Sequence, residues 1–369
     1  MKFTILQQDL LPALSAVARS VGARSTLPVL DNILLSVEGK KLKLAATNLE
    51  IGVVKFILVK EAMEGEITVP AKTLVELISG LGQAQVTIES EAEVLTITSG
   101  SFKASVNGIA ATEFPVIPAA TGAEVSFPKE VFLSSATVLF AAAVDEGRPV
   151  LTGILTEVKD SKLDFVATDG FRLAHRQVPL ALSERKRVEG LKTLIPKRTY
   201  EEVLRIISEQ PVDEVKIATS ENQNQVVFTL GETIVSSRLI EGVFPAWEKI
   251  IPVEIIGRAL LEKEALLKAI KLAGVFAKGD NVLVITTKKG ALNLKSSAKE
   301  LGTQENEVEG SIEGEDLQIA FNTRFLQDAV SNIPSIQVMM EFSGPLSAAL
   351  VKPVGEEGLE YIVMPVRLS

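Results

Sequence analysis

Asn32-Ile33-Leu34-Leu35-Ser36-Val37-Glu38-Gly39-Lys40-Lys41-Leu42-Lys43-Leu44-Ala45-Ala46-Thr47 reads as a β-hairpin. Apolar residues alternate on either side of a glycine turn, with a period of two. The design returns at 151–158 with 163–168, and again at 282–286 and 291–295 around Lys289-Gly290. Outward from each hairpin lie two amphipathic helical stretches. The first of each pair opens at Gln7-Gln8-Asp9-Leu10-Leu11, Pro128-Lys129-Glu130-Val131-Phe132 and Leu261-Glu262-Lys263-Glu264-Ala265-Leu266. The second opens at Val69-Pro70-Ala71-Lys72-Thr73-Leu74, Ile195-Pro196-Lys197-Arg198-Thr199-Tyr200 and Phe321-Asn322-Thr323-Arg324-Phe325-Leu326. Further alternating pairs, such as 85–89 with 94–98 and 215–218 with 225–230, close the units. The chain therefore repeats one α+β unit of about 120 residues three times, each with two helices on antiparallel sheets. The expected domains are 1–121, 122–251 and 252–369, joined through Pro-, Ala- and Gly-bearing stretches at 116–124 and 245–258.

Composition narrows the class. The 369 residues are 46% hydrophobic with mean hydropathy +0.27, enough for each third to bury a core unaided. The absence of cysteine removes disulfides, thiolate metal sites and cysteine nucleophiles together. No apolar run reaches the length of a membrane span, and the stretch between Lys2 and Asp9 is too short for a signal peptide, so a cytoplasmic location is expected.

Net charge is −9, which on its face disfavours nucleic acid. Its distribution is uneven. The helical segments 7–24, 70–81, 128–143, 196–208, 262–278 and 322–333 hold twelve basic against eight acidic side chains, so the acidity sits in strands and loops. Ordinary solvated helix faces would read the same way.

Enzymatic signatures are missing. His175, the only histidine, lies in the alternating run Leu173-Ala174-His175-Arg176 and reads as a structural strand residue. No second histidine completes a metal set. Gly80 and Gly82 do not form a dinucleotide loop, no phosphate-binding glycine loop occurs, and no carboxylate pair is placed convergently.

Several segments together resemble the bacterial DNA polymerase III β subunit, the replicative sliding clamps, over essentially the full length. They are Met1-Lys2-Phe3-Thr4, Arg24-Ser25-Thr26-Leu27-Pro28-Val29-Leu30, Val166-Ala167-Thr168-Asp169-Gly170-Phe171-Arg172-Leu173-Ala174, Glu241-Gly242-Val243-Phe244-Pro245 and Tyr361-Ile362-Val363-Met364-Pro365-Val366-Arg367-Leu368. The resemblance implies a non-catalytic, cofactor-free processivity subunit. Two chains would close head to tail into a six-domain ring around duplex DNA, helices inside and sheets outside. Its partners would be the polymerase III catalytic subunit, the clamp loader, other polymerases and repair proteins.

Residue by residue, the resemblance implies three sites. Arg24, Lys72, Lys197, Arg198, Lys268, Lys271 and Arg324 would face DNA. Phe102 and Val106 of one chain would meet Val275 and Phe276 of the other. A peptide pocket would use Arg148, Leu151, Thr168, Gly170, Phe171, Arg172, Leu173, Pro245, Ile250, Ile362, Val363, Met364, Pro365, Val366 and Arg367. Within it Leu151, Leu173, Ile250, Val363 and Met364 would form an apolar groove, and Arg148, Arg172 and Arg367 would offer forks to carboxylates or carbonyls. Asp169-Gly170 reads equally as a tight turn and as a pocket rim. The stretch 107–113, Val144, Trp247, Lys249 and the final Ser369 depart from the family's pattern. A triplicated protein-binding scaffold without a DNA role is the competing reading.

Overall fold

The computed structural model describes residues 1–22, 27–120, 124–145, 147–181, 191–219, 224–277 and 280–367. The first third runs β1 (Lys2–Leu6), α1 (Gln7–Ala18), β2 (Asn32–Glu38), β3 (Lys41–Thr47), β4 (Ile51–Leu58), β5 (Lys60–Met63), β6 (Gly65–Pro70), α2 (Ala71–Gly80), β7 (Gln85–Glu91), β8 (Val94–Ser99) and β9 (Phe102–Asn107). The second runs β10 (Val125–Pro128), α3 (Lys129–Ser135), β11 (Gly153–Lys159), β12 (Lys162–Thr168), β13 (Arg172–Pro179), β14 (Lys192–Pro196), α4 (Lys197–Glu209), β15 (Glu214–Thr219), β16 (Gln225–Leu230) and β17 (Thr233–Arg238). The third runs β18 (Gly257–Glu262), α5 (Lys263–Phe276), β19 (Val282–Lys288), β20 (Ala291–Ala298), β21 (Gly302–Gly314), β22 (Gln318–Asn322), α6 (Thr323–Ser331), β23 (Gln337–Phe342), β24 (Ala349–Pro353) and β25 (Leu359–Val363). The order strand, helix, four strands, helix, three strands recurs, with β5 the one addition in the first third.

All the expected hairpins pair antiparallel: β2 with β3, β7 with β8, β11 with β12, β15 with β16 and β19 with β20. Two helices fall short of the stretches expected from periodicity. α1 ends at Ala18 because Ser20 and Val21 tighten the last turn, bonding to the Val17 and Ala18 carbonyls. α3 ends at Ser135, where Thr137 returns its hydroxyl to the Ser134 carbonyl at 2.7 Å and the Tyr361 hydroxyl takes the Thr137 carbonyl at 2.9 Å. The two C-terminal helices carry side-chain caps. Glu262 accepts from the Ala265 amide, and Asn322 from the amides of Arg324 and Phe325.

The strands do not respect the boundaries between thirds. Packing divides the chain into two compact units, Met1–Leu133 with Glu201–Leu239, and Ser134–Tyr200 with Ile240–Ser369. In the first unit β5-β1-β7-β8-β9 form one sheet and β10-β15-β16-β17-β4-β3-β2-β6 another, with β17 of the second third paired to β4 of the first. α1 packs on α2 and on strands of both sheets, where Leu10, Leu14 and Val17 are fully buried. In the second unit one twelve-stranded sheet runs β14-β11-β12-β13-β25-β24-β23-β18-β21-β20-β19-β22. Here β13 of the second third pairs with β25 of the third. α5 packs on α6 and against β20 and β21. Beyond β25 the chain bridges Pro365 to Phe321, and the Val366 amide reaches the Ala320 carbonyl at 2.7 Å.

The β13–β25 seam tolerates no extra atom at Gly358. Its φ is +75°, and a Cβ would lie 2.5 Å from the Gln177 carbonyl oxygen, while its own carbonyl accepts from the Gln177 amide at 2.7 Å. Gly358→Ala is expected to destabilise the protein by about 2 kcal/mol, read as a lower urea midpoint. An unchanged midpoint would mean the seam yields locally.

Candidate functional site

Strand pairing writes the site's plan. Across the sheet of the second unit, Thr168 lies opposite Leu173, Leu173 opposite Ile362, and Ile362 opposite Leu350. One register row over, Val166 faces His175 and His175 faces Glu360. Opposed residues share a face and alternate along a strand, so one face carries an apolar row beside a polar row. On the apolar side Leu155, Val166, Leu173, Leu194, Trp247, Ala348, Leu350 and Ile362 form one buried cluster. Phe244, Ile250, Ile251, Ile255 and Met364 cover it while keeping part of their surface in solvent. A half-open apolar floor of this kind can bury one or two side chains of an extended peptide, each contributing roughly 1.5–3 kcal/mol.

This cluster gathers Leu173, Ile250, Ile362 and Met364 from three distant stretches. Leu151 is buried in a short 3-10 turn over Pro149–Leu151, outside that cluster. Thr168 is buried, and its hydroxyl donates to the Arg172 carbonyl at 2.6 Å and accepts from the Gly170 amide at 3.0 Å. Gly170 has φ +92° and lies under the exposed Arg148, whose guanidinium bonds the Asp169 carbonyl at 2.8 Å. The turn and the rim are thus the same residues. Phe171 stays 58% exposed while stacking on Phe325 at 6.1 Å, and the Met364 amide bonds its carbonyl at 3.0 Å. Pro245 and Arg367 are exposed; Pro365 and Val366 are half-buried against β22.

Two expected roles need correction. Val363 sits one position from Ile362 and so projects from the opposite face, fully buried opposite Arg172 and Ala349; it is not part of the groove. Arg172 likewise turns away from Leu173. Its Nε bonds Asp169 at 3.0 Å, Nη1 bonds Asp328 and Nη2 bonds the Phe140 carbonyl at 3.0 Å. The guanidinium also lies 4.7 Å from the Phe325 ring centre and 5.3 Å from that of Phe140. With every nitrogen engaged, it is a structural clamp and not an open fork. Trp247, Phe325 and Leu350 join the site without a motif that assigns them to it, whereas Phe244 belongs to the run Glu241-Gly242-Val243-Phe244-Pro245. Only strand alternation around Leu350, and the unusual tryptophan, could have flagged them.

His175 is structural, as its strand setting implied, and it is also ionically engaged. Nε2 lies 2.8 Å from Asp164 and Nδ1 lies 3.0 Å from Glu360. Burial would push its pKa down, but the two carboxylates outweigh burial and hold it above the ordinary value.

The basic candidates occupy helices. Lys72 is exposed on α2, with Glu76 at 4.0 Å. Lys197, half-buried, and Arg198, exposed, open α4; Lys268 and Lys271 are exposed on α5, and Arg324 on α6. Arg24 lies outside the described residues. The helix surplus read from sequence is partly spent, since Arg205 pairs with Glu202 and Glu209, and Arg19 also meets Glu209 at 3.3 Å. Phe102 and Val106 lie on β9, an edge strand of its sheet. Val275 is 51% exposed and Phe276 half-buried at the end of α5. Among the described residues no cluster of His, Asp or Glu could hold a metal, and no helix is long and apolar enough to cross a membrane.

Family models for the DNA polymerase III β subunit match in chain order: the N-terminal domain at residues 1–118, the central domain at 129–246 and the C-terminal domain at 248–367. The chain belongs to the DNA polymerase III β subunit family, the bacterial sliding clamps. It is 32% identical to the β sliding clamp of Synechocystis and 32% identical to that of Pseudomonas aeruginosa, over the full length of all three chains. Among solved structures, the Pseudomonas aeruginosa sliding clamp bound to griselimycin matches with a TM-score of 0.92 at 30% identity, covering all of both chains. The Bacillus subtilis clamp matches with a TM-score of 0.94 at 26% identity, again over all of both chains.

Arg172→Ala is expected to cost about 3 kcal/mol, because it strands Asp169 and Asp328 and removes the contact between two rings. Arg172→Lys should recover only part of this, since one ammonium cannot meet three acceptors. Chemical denaturation of both variants decides it; equal stability of wild type and Arg172→Ala would refute the clamp.

Proposed function

We propose that the chain works as a ring-shaped DNA sliding clamp: two copies join head to tail around duplex DNA and tether the replicative polymerase. It is a processivity subunit, not a catalyst. The observation that carries the reading is the apolar cluster that joins Leu173, Ile250, Ile362 and Met364 in a chain whose whole length belongs to the clamp family. The loader, other polymerases and repair proteins would dock there in turn through short apolar peptides. The griselimycin-bound clamp of Pseudomonas aeruginosa supports a ligand site of this kind. The three domains are 1–121, 122–251 and 252–369, and a cytoplasmic location follows from the work on DNA.

Closure resolves the conflict between net charge −9 and DNA binding. A linked ring needs no tight contact, so a few lysines and arginines touching phosphate suffice, and phosphate contacts carry no sequence. α2, α4, α5 and α6 hold 10, 13, 14 and 9 residues, about 13–21 Å of helix at 1.5 Å per residue. On them Lys72, Lys197, Arg198, Lys268, Lys271 and Arg324 would face the duplex, joined by Arg24. The unpaired edge of β9, with Phe102 and Val106, would be covered by the Val275 and Phe276 end of the partner's α5, which removes an edge prone to aggregation.

The test is topological. Loaded onto nicked circular plasmid, the protein should survive a salt wash and be released when the plasmid is linearised. A scaffold without a DNA role would be retained on neither. Neutralising Lys197 and Arg198 together should shorten retention and lower the salt slope by about two, with the unfolding midpoint unchanged. Equal retention on circular and linear DNA would overturn the ring.

A further inference from the structure

His175 is the only histidine of the chain and Trp247 its only tryptophan, and their rings lie 4.5 Å apart at an angle of 49°. His175 stands two residues along β13 from Leu173, on the same face, so it continues the groove's floor beneath Trp247. Both ring nitrogens meet carboxylates, Nε2 with Asp164 at 2.8 Å and Nδ1 with Glu360 at 3.0 Å. Only the doubly protonated imidazole can donate to both. We propose that charged His175 is the positioning residue of the peptide groove: it holds Trp247 by a cation–π contact, and so makes peptide affinity depend on its proton. This rests on the reading of the groove as a peptide site.

The surrounding charges agree. Asp164 on β12 also accepts from Gln177 at 2.9 Å. Glu360 on β25 is approached by Lys352 of β24 at 3.9 Å; Lys352 pairs with Glu341 of β23 at 2.9 Å, and Glu341 with Arg258 of β18 at 3.0 Å. On the short helix that carries Trp247, Glu248 pairs with Lys159 at 3.5 Å and Lys249 is exposed. Arg176, on the far face of β13, pairs with Glu356 at 2.6 Å. The row Asp164, His175, Glu360, Lys352, Glu341, Arg258 alternates in sign and is neutral when His175 is charged. Removing that proton leaves two carboxylates facing an imidazole that can serve one, and Trp247 loses its cation. The carboxylates hold the pKa above the ordinary value against burial. The contact is therefore complete below the ordinary histidine range and is lost as pH rises through the higher folded value.

Because Trp247 is the sole tryptophan, its emission reports the contact directly, and a charged imidazole quenches indole more strongly than a neutral one. The full chain is titrated from about pH 6 to about pH 9.5, with emission and griselimycin affinity followed together. Emission should rise in one step above the ordinary histidine pKa, and griselimycin affinity should weaken about fivefold across the same step. Bound griselimycin should move the step to higher pH, by reciprocity of the two equilibria. His175→Gln should bind weakly with no pH dependence; if that variant fails to fold, the wild-type profile alone decides. An emission step without a change in affinity, or no step at all, overturns the positioning role while leaving the groove intact. Failure of griselimycin to bind at any pH overturns the groove and the inference with it.

Discussion

The antiparallel pairing of β13 with β25 is the constraint on which the second unit depends. Five residue pairs, from Arg172 with Val363 to Arg176 with Leu359, stitch the C-terminal strand to a strand nearly two hundred positions earlier. Because side chains alternate, this one register decides both faces. On one, Leu173 and Ile362 meet to floor the groove. On the other, Arg172 turns to Asp328 and Phe140, and Tyr361 sends its hydroxyl to the carbonyls of Thr137 and Asn332 at 2.9 and 3.0 Å. A slip of one residue would exchange the faces and bury charge against the apolar cluster. The fold and the site are thus fixed by the same ladder.

Polar groups sharpen that register. The alternating row from Asp164 to Arg258 crosses six neighbouring strands of the sheet, with its central members largely shielded from water. Such a row contributes little net stability over an apolar one, but each misregistered strand would strand a charge. The first unit has a comparable device on a smaller scale. Arg205 of α4 reaches the Ala16 carbonyl of α1 at 3.3 Å as well as Glu202 and Glu209. Burial, with the nearby Arg205 charge adding to it, lowers the pKa of Lys55 on β4.

Much of this was legible beforehand because it is local. The hairpin over 32–47 announces itself through alternation around a glycine turn and that over 85–98 through alternation alone, and the helix starts through amphipathic spacing. The threefold repeat needs only those patterns in order. Long-range pairing leaves no such trace. Nothing in 172–179 or 359–363 says that they are neighbours, so the face on which Val363 lies, and the partners that consume Arg172, could not be read. α3 is shorter than its apolar spacing predicts because Thr137 and the Tyr361 hydroxyl end it, the latter from 224 residues away. Trp247 stood out as unusual in sequence, yet its contact with His175 exists only once the short helix over Trp247–Ile250 folds onto β13.

Amide hydrogen exchange of the full chain, with and without griselimycin, tests most directly whether the seam between β13 and β25 builds the surface that partners use. The account predicts that griselimycin slows exchange in the segments spanning 244–251, 171–176 and 359–367 together, while β7, β8 and β9 exchange as before. Protection confined to a different part of the chain, or to one of these segments without the others, would contradict it.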